Sequence, residues 1–125
     1  MPSTVLVVED DPVILTLLEV NFSMEGFDVL TAANGQEGVD MARAHQPDIV
    51  VSDIMMPVKS GLELATELKA DPATRHIPVL LLSAKAQAVD VAAGLAAGAD
   101  EYITKPFEPL DLLDRVNRHL AARPS

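Results

Sequence analysis

The sequence contains no cysteine and no tryptophan, and it has one tyrosine and three phenylalanines. Missing thiols exclude disulfides, thiolate nucleophiles and zinc–thiolate sites. With only Phe22, Phe27, Tyr102 and Phe107 as aromatic rings, packing falls to aliphatic side chains and alanine. Basic residues are scarce too: nine Lys and Arg face nineteen Asp and Glu, for a formal net charge of -10. Such a surface repels a polyphosphate backbone instead of releasing its counterions, so direct nucleic-acid binding is not expected. No apolar run approaches the ~18 residues of a membrane span, and Met1 leads into an apolar, strand-like segment without a basic n-region. Neither a membrane anchor nor a secretory leader is expected, and the cytoplasm is the default location.

Over 125 residues, 49% are apolar and 22% charged, the balance of a globular chain with enough apolar surface for one core. One domain over residues 1–125 is expected, with no internal repeat, low-complexity tract or linker before the tail Arg123, Pro124, Ser125. Five short apolar runs (Thr4 to Val8, Asp28 to Ala32, Asp48 to Ser52, Pro78 to Leu82, Glu101 to Ile103) alternate with segments of helical periodicity. This pattern predicts an α/β fold: a parallel sheet covered on both faces. The first, third and fourth runs are rich in Val, Ile and Leu without alternation, which predicts central strands.

Asp11 and Pro12 read as cap and first residue of a helix carrying Ile14, Leu17, Leu18 and Phe22, ended by Gly26. Asn34 with Glu37 opens a second helix to about His45, stopped by Pro47. A third spans Gly61 to Ala70, and Asp71, Pro72 and Ala73 turn the chain back. A fourth, roughly Ala86 to Ala97, is poor in large side chains and should pack lightly, with Gly98 as left-handed cap. The fifth begins at Pro109 with Leu110, Leu113, Val116 and Leu120 on one side.

Ligands of an open parallel sheet bind beyond the carboxyl ends of its strands. There the sequence places Glu9, Asp10 and Asp11 after the first run, Asp53 after the third, Ser83 after the fourth and Lys105 after the fifth. Taken singly, each has an ordinary reading: Asp11 and Ser83 as helix caps, Asp53 as a loop residue, Lys105 as a solvated charge. Together they imply more. Converging carboxylates repel one another without a cation, and a small set of oxygen ligands suits magnesium. A carboxylate such as Asp53 could then act as a nucleophile toward a phosphodonor, with Lys105 and the Ser83 hydroxyl meeting phosphoryl oxygens.

These residues carry a resemblance over nearly the whole chain to the CheY-like receiver domains of two-component response regulators. The resemblance rests on Val-Leu-Val-Val-Glu-Asp-Asp-Pro at 5–12, Ser-Asp-Ile-Met-Met-Pro at 52–57, Leu-Leu-Ser-Ala-Lys at 81–85 and Tyr-Ile-Thr-Lys-Pro-Phe at 102–107. It implies a flavodoxin-like, doubly wound (βα)5 sheet in the order 2-1-3-4-5. Asp53 becomes the phosphoacceptor. Asp10, Asp53 and the Met55 backbone carbonyl become ligands of magnesium, or of manganese in its place, with Glu9 binding directly or through water. Ser83 and Lys105 become phosphoryl-binding, Ser83 and Tyr102 the switch pair, and the Lys105–Pro106 peptide bond cis.

The implied partners are a sensor histidine kinase or a histidine phosphotransfer protein, and a downstream output domain or protein. Output would run through the fourth helix, fifth strand and fifth helix. A phosphorylation-dependent homodimer is a further implied partner, although Val91, Ala92, Ala93 and Ala96 leave little charge on the fourth helix for ionic pairing. A haloacid dehalogenase-type phosphatase needs a second Asp two residues beyond a nucleophile on the first strand, which Asp10-Asp11-Pro12 does not supply. Flavodoxin's phosphate loop and a Walker loop are absent. His45, His76 and His119 are scattered and read as surface residues. The remaining alternative is a phosphorylation-independent interaction module with a receiver fold, against which the intact set Glu9, Asp10, Asp53, Ser83 and Lys105 argues.

Overall fold

The computed structural model describes residues 2–122, so the tail expected at 123–125 lies outside the described residues. Five strands, β1 (Thr4–Val8), β2 (Asp28–Ala32), β3 (Ile49–Asp53), β4 (Val79–Ser83) and β5 (Glu101–Thr104), alternate with five helices. The helices are α1 (Pro12–Met24), α2 (Gly35–His45), α3 (Gly61–Ala70), α4 (Ala88–Ala96) and α5 (Pro109–Ala121). All pairings are parallel and the order is β2-β1-β3-β4-β5, the doubly wound, flavodoxin-like sheet. Strands β1, β3 and β4 are interior, as their unbroken apolar runs require.

Successive residues of β1 supply the two faces in turn. Val5 and Val7 pack with Leu18 and Phe22 of α1 and Leu112 and Val116 of α5. Leu6 and Val8 pack with Val39 of α2 and Leu64 and Leu68 of α3. The aromatic contribution is small: Phe22 and Phe27 meet edge to face with centroids 5.6 Å apart.

Four elements differ in their bounds from the sequence expectation, among them β5, which runs one residue further, to Thr104. Strands β3 and β4 each start and end one residue later. Pro78 has no N–H to donate, so the β4 ladder opens at Val79, whose N–H is taken by the Asp100 carboxylate at 2.8 Å. At the other end, the Ile54 N–H donates to the Leu82 carbonyl at 3.1 Å, which keeps Asp53 inside the sheet. Helix α4 is shorter than expected because Gln87, its N-cap, makes no side-chain capping bond. Gly98, with φ +105°, turns the chain just past its end.

Two helix faces also differ. Leu17 and Leu110 are exposed, while Leu112 is buried. At about 100° per residue, positions 112, 113, 116 and 120 share one narrow arc and Leu110 stands nearly opposite its start. On α1 the inward arc is Ile14, Leu15, Leu18 and Phe22. Its outer side carries Val13, Leu17, Val20 and Met24, all exposed and themselves confined to one stripe.

Candidate functional site

The strand register assembles the site. Val8 is paired with Ser52, so the residues that follow, Glu9 and Asp53, emerge side by side at the carboxyl edge. Across β3 and β4 Asp53 is paired with Leu82, which brings Ser83 one step beyond it. Ser83 is paired with Thr104, and the Lys105 N–H donates to the Ser83 carbonyl at 2.8 Å.

The side chains converge accordingly. Carboxylate oxygens of Glu9, Asp10 and Asp53 all lie within 4.8 Å of one another. The Lys105 ammonium is 2.9 Å from Asp53 Oδ1 and 3.5 Å from Glu9 Oε1. Asp10 is exposed, whereas Glu9, Asp53 and Ser83 are buried. Asp11 caps α1, accepting from the Val13 N–H at 2.9 Å, and so stays out of the cluster.

The electrostatics follow from this crowding. Burial, then repulsion by Asp53, pushes the Glu9 carboxyl from 4.5 up to about 7, and Lys105 only partly offsets them. Burial alone would lower the Lys105 ammonium, but its hydrogen bonds and charge contacts with Asp53 and Glu9 outweigh that and hold it above 10.5. Glu9 Oε2 is buried without a hydrogen-bond partner, a costly state for a carboxylate oxygen. The all-oxygen donor set and this orphaned oxygen fit a small divalent cation.

Glycines make room for the loop that follows Asp53. At Gly61, the first residue of α3, a Cβ would fall 2.3 Å from the Asp53 carbonyl oxygen; at Gly35 it would fall 2.1 Å from the Lys59 carbonyl oxygen. The Gly61 N–H donates to the Ile54 carbonyl at 2.9 Å. Between them Val58 has φ +70°, and the Lys59 N–H closes on the Pro57 carbonyl at 2.8 Å, a tight turn around a left-handed valine. The Lys105–Pro106 peptide bond is cis.

Residues 5–117 match the family profile of the response regulator receiver domain. The chain belongs to that family. Its receiver is 40% identical over 116 residues to the alkaline phosphatase synthesis transcriptional regulatory protein PhoP of Bacillus subtilis, a match covering 93% of this chain and 48% of that protein. The chain thus spans about half the length of that curated relative. A putative response regulator from Chloroflexus aurantiacus superposes with a TM-score of 0.91 at 35% identity, over 97% of this chain and 99% of that one. The receiver domain of a sensor histidine kinase from Pseudomonas aeruginosa superposes with a TM-score of 0.90 at 30% identity, over 98% of this chain and 100% of that one. The latter has a magnesium ion coordinated in its active site cleft.

Beside the acidic cluster the receiver has a groove of about 300 Å³ lined by Ile54, Met55, Met56, Ser83, Lys85 and Tyr102, among others. Ser83 Oγ accepts from the Lys85 N–H at 3.1 Å, so it does not cap α4. Tyr102 is half-buried, and its hydroxyl donates to the Lys85 carbonyl at 2.6 Å. On the neighbouring face, Arg115 pairs with both Glu101 and Asp111, and His119 lies 2.9 Å from Glu101 Oε1.

Sequence reasoning missed the glycines that let backbone approach the site, and it missed the exposed stripe of α1. The stripe was readable from the spacing 13, 17, 20, 24. The glycines carried no comparable signal, since which backbone approaches them depends on the folded arrangement.

Proposed function

We propose that this receiver accepts a phosphoryl group on Asp53 from the phosphohistidine of a sensor kinase or histidine phosphotransfer protein. One observation carries the reading: the Asp53 carboxylate ends an interior strand, 2.9 Å from the Lys105 ammonium, with Glu9 and Asp10 beside it. An Asp53 oxygen forms the new bond to phosphorus as the P–N bond of the donor breaks, and the histidine leaves with the electron pair. Lys105 then shifts its charge from Asp53 to a phosphoryl oxygen, and the Ser83 hydroxyl gives up the Lys85 N–H to donate to another. The chain is a signalling switch that catalyses only its own phosphorylation and dephosphorylation.

Asp10, Asp53 and the Met55 carbonyl would hold magnesium, or manganese in its place, with Glu9 ligating directly or through water. When bound, the ion supplies positive charge against the carboxylates and the incoming phosphoryl oxygens. The Ser83 movement and the position of Tyr102 then set the shape of the α4–β5–α5 face, which a downstream output domain or protein reads. Phosphodonor proteins dock on the exposed apolar stripe Val13, Leu17, Val20 and Met24, because α1 starts directly after the acidic turn, at Pro12 behind its Asp11 cap, so that the stripe begins next to the site.

The test is incubation with a small-molecule phosphodonor and magnesium, followed by mass measurement. One added phosphoryl group, lost at alkaline pH and missing in Asp53→Asn, is the expected result. An adduct that persists in Asp53→Asn would overturn the site. No adduct from either the small molecule or a kinase would favour the phosphorylation-independent module.

A further inference from the structure

We propose that Gly94 is a positioning residue for Tyr102: a notch in α4, free of any side chain, that holds the phenol ring turned inward with its hydroxyl on the Lys85 carbonyl. The proposal deepens the reading of Tyr102 as a switch residue and rests on it for its functional meaning.

Glycine is the weakest ordinary helix former after proline, and α4 is short and lacks a side-chain N-cap. A glycine within it, seventh of its nine residues, therefore has a local cost that something else must offset. Gly94 is the buried residue of this helix, and what covers it is the Tyr102 ring. A Cβ at this position would lie 2.5 Å from Tyr102 Cδ2 and 3.0 Å from Cε2, with Leu81 Cδ1 at 3.6 Å behind. These are atoms of a rigid ring, so the contact is relieved only by moving the whole ring. Rotation out of the notch breaks the 2.6 Å hydrogen bond to Lys85.

Lys85 is in turn held from both sides. Its N–H donates to Ser83 Oγ at 3.1 Å while its carbonyl accepts from Tyr102. Ser83 and Tyr102 therefore meet through one residue of backbone. When Ser83 is drawn away, the Lys85 segment loses one of its two ties, and the depth of the Gly94 notch decides how firmly the ring keeps the other. The identity of residue 94 thereby sets the balance between ring-in and ring-out states of the output face.

Tyr102 is the chain's single tyrosine and there is no tryptophan, so its emission reports this ring alone. Acrylamide quenching would be compared between the full chain and Gly94→Ala without any phosphodonor, alongside thermal unfolding of Gly94→Ala in the native and Tyr102→Ala backgrounds. The expected result is quenching that rises toward that of a fully exposed tyrosine in Gly94→Ala. Alanine should also raise the unfolding temperature once Tyr102 is removed, as helix propensity dictates, and fail to raise it while the ring is present. Unchanged quenching together with equal stabilisation in both backgrounds overturns the proposal. Should Gly94→Ala not fold, recovery of the fold in the double variant supports the notch and continued failure overturns it. A receiver that forms no Asp53 adduct would refute the proposed function, yet the quenching comparison would still decide the notch.

Discussion

Val58 is a β-branched residue held at φ +70° five positions beyond Asp53, at the centre of the turn closed by Lys59 and Pro57. Its Cβ is crowded in this left-handed conformation, at a cost of roughly 1–2 kcal/mol, while its side chain is exposed and recovers little by burial. Val58→Gly is expected to raise unfolding free energy by about 1 kcal/mol after the larger chain entropy of glycine is allowed for. A higher urea midpoint with an unchanged slope would bear this out. Gly61 has the opposite character, since any side chain there meets the Asp53 carbonyl. Gly61→Ala should cost about 1–3 kcal/mol by forcing the backbone apart, measured as a lower midpoint, and should slow Asp53 phosphorylation by a small donor. The polar residues of the site, Glu9, Asp10, Asp53, Ser83 and Lys105, could be picked from the sequence because polar residues that follow apolar runs must gather at one sheet edge. Val58 could not. Its strain is a property of a dihedral angle that no composition or spacing encodes.

Helices α1 and α4 show how far element-level reasoning reaches. Both were found from periodicity, and α1 starts at Pro12 behind the Asp11 cap, as Asp-Pro demands. Its faces were harder to divide, because apolar residues surround it: Ile14, Leu15, Leu18 and Phe22 turn inward, and Val13, Leu17, Val20 and Met24 turn out. A stripe of that kind on a surface helix marks a partner contact more often than chance. Charging it by Leu17→Asp or Val20→Asp should slow phosphotransfer from a cognate kinase at least about tenfold, equivalent to roughly 1.4 kcal/mol of lost docking. Labelling by a small donor should stay at the native rate. Equal loss with both donors would place the defect in the chemistry instead of the docking face. On β5 and α5 the charges Glu101, Asp111 and Arg115 satisfy one another within the chain, which leaves fewer of them for pairing with a second copy.

Across the whole molecule, the order 2-1-3-4-5 puts the three strands that bear Glu9, Asp53 and Ser83 in the interior and leaves β2 and β5 at the edges. This much follows from the sequence, since only strands covered on both faces can be apolar throughout. Acid stability belongs to the same scale. Burial would raise the Glu101 carboxyl, but hydrogen bonds from Arg115 and His119 outweigh it and hold it below 4.5. The stabilisation this represents is complete above 4.5 and disappears as pH falls through the lowered folded value. Glu101→Gln should therefore cost up to about 1 kcal/mol at neutral pH, allowing for solvent screening, and nothing in strong acid. Denaturant midpoints of the two proteins that converge as the solution is acidified would show it.

The light packing of α4 has a further consequence, in the language of local unfolding. Helices α2 and α3 each bury four residues, whereas α4 buries one, a glycine. Opening α4 exposes little apolar surface, so its amides should exchange with solvent deuterium through a low-energy, sub-global event while those of α2 and α3 wait for global unfolding. A lever this loosely seated can be moved by a coupling of only about 1–3 kcal/mol. Two hydrogen bonds at Lys85 are on the scale of that requirement. On the proposed function, the rigid layer that holds the carboxylates need not deform for a signal to leave the molecule through this lightly packed helix.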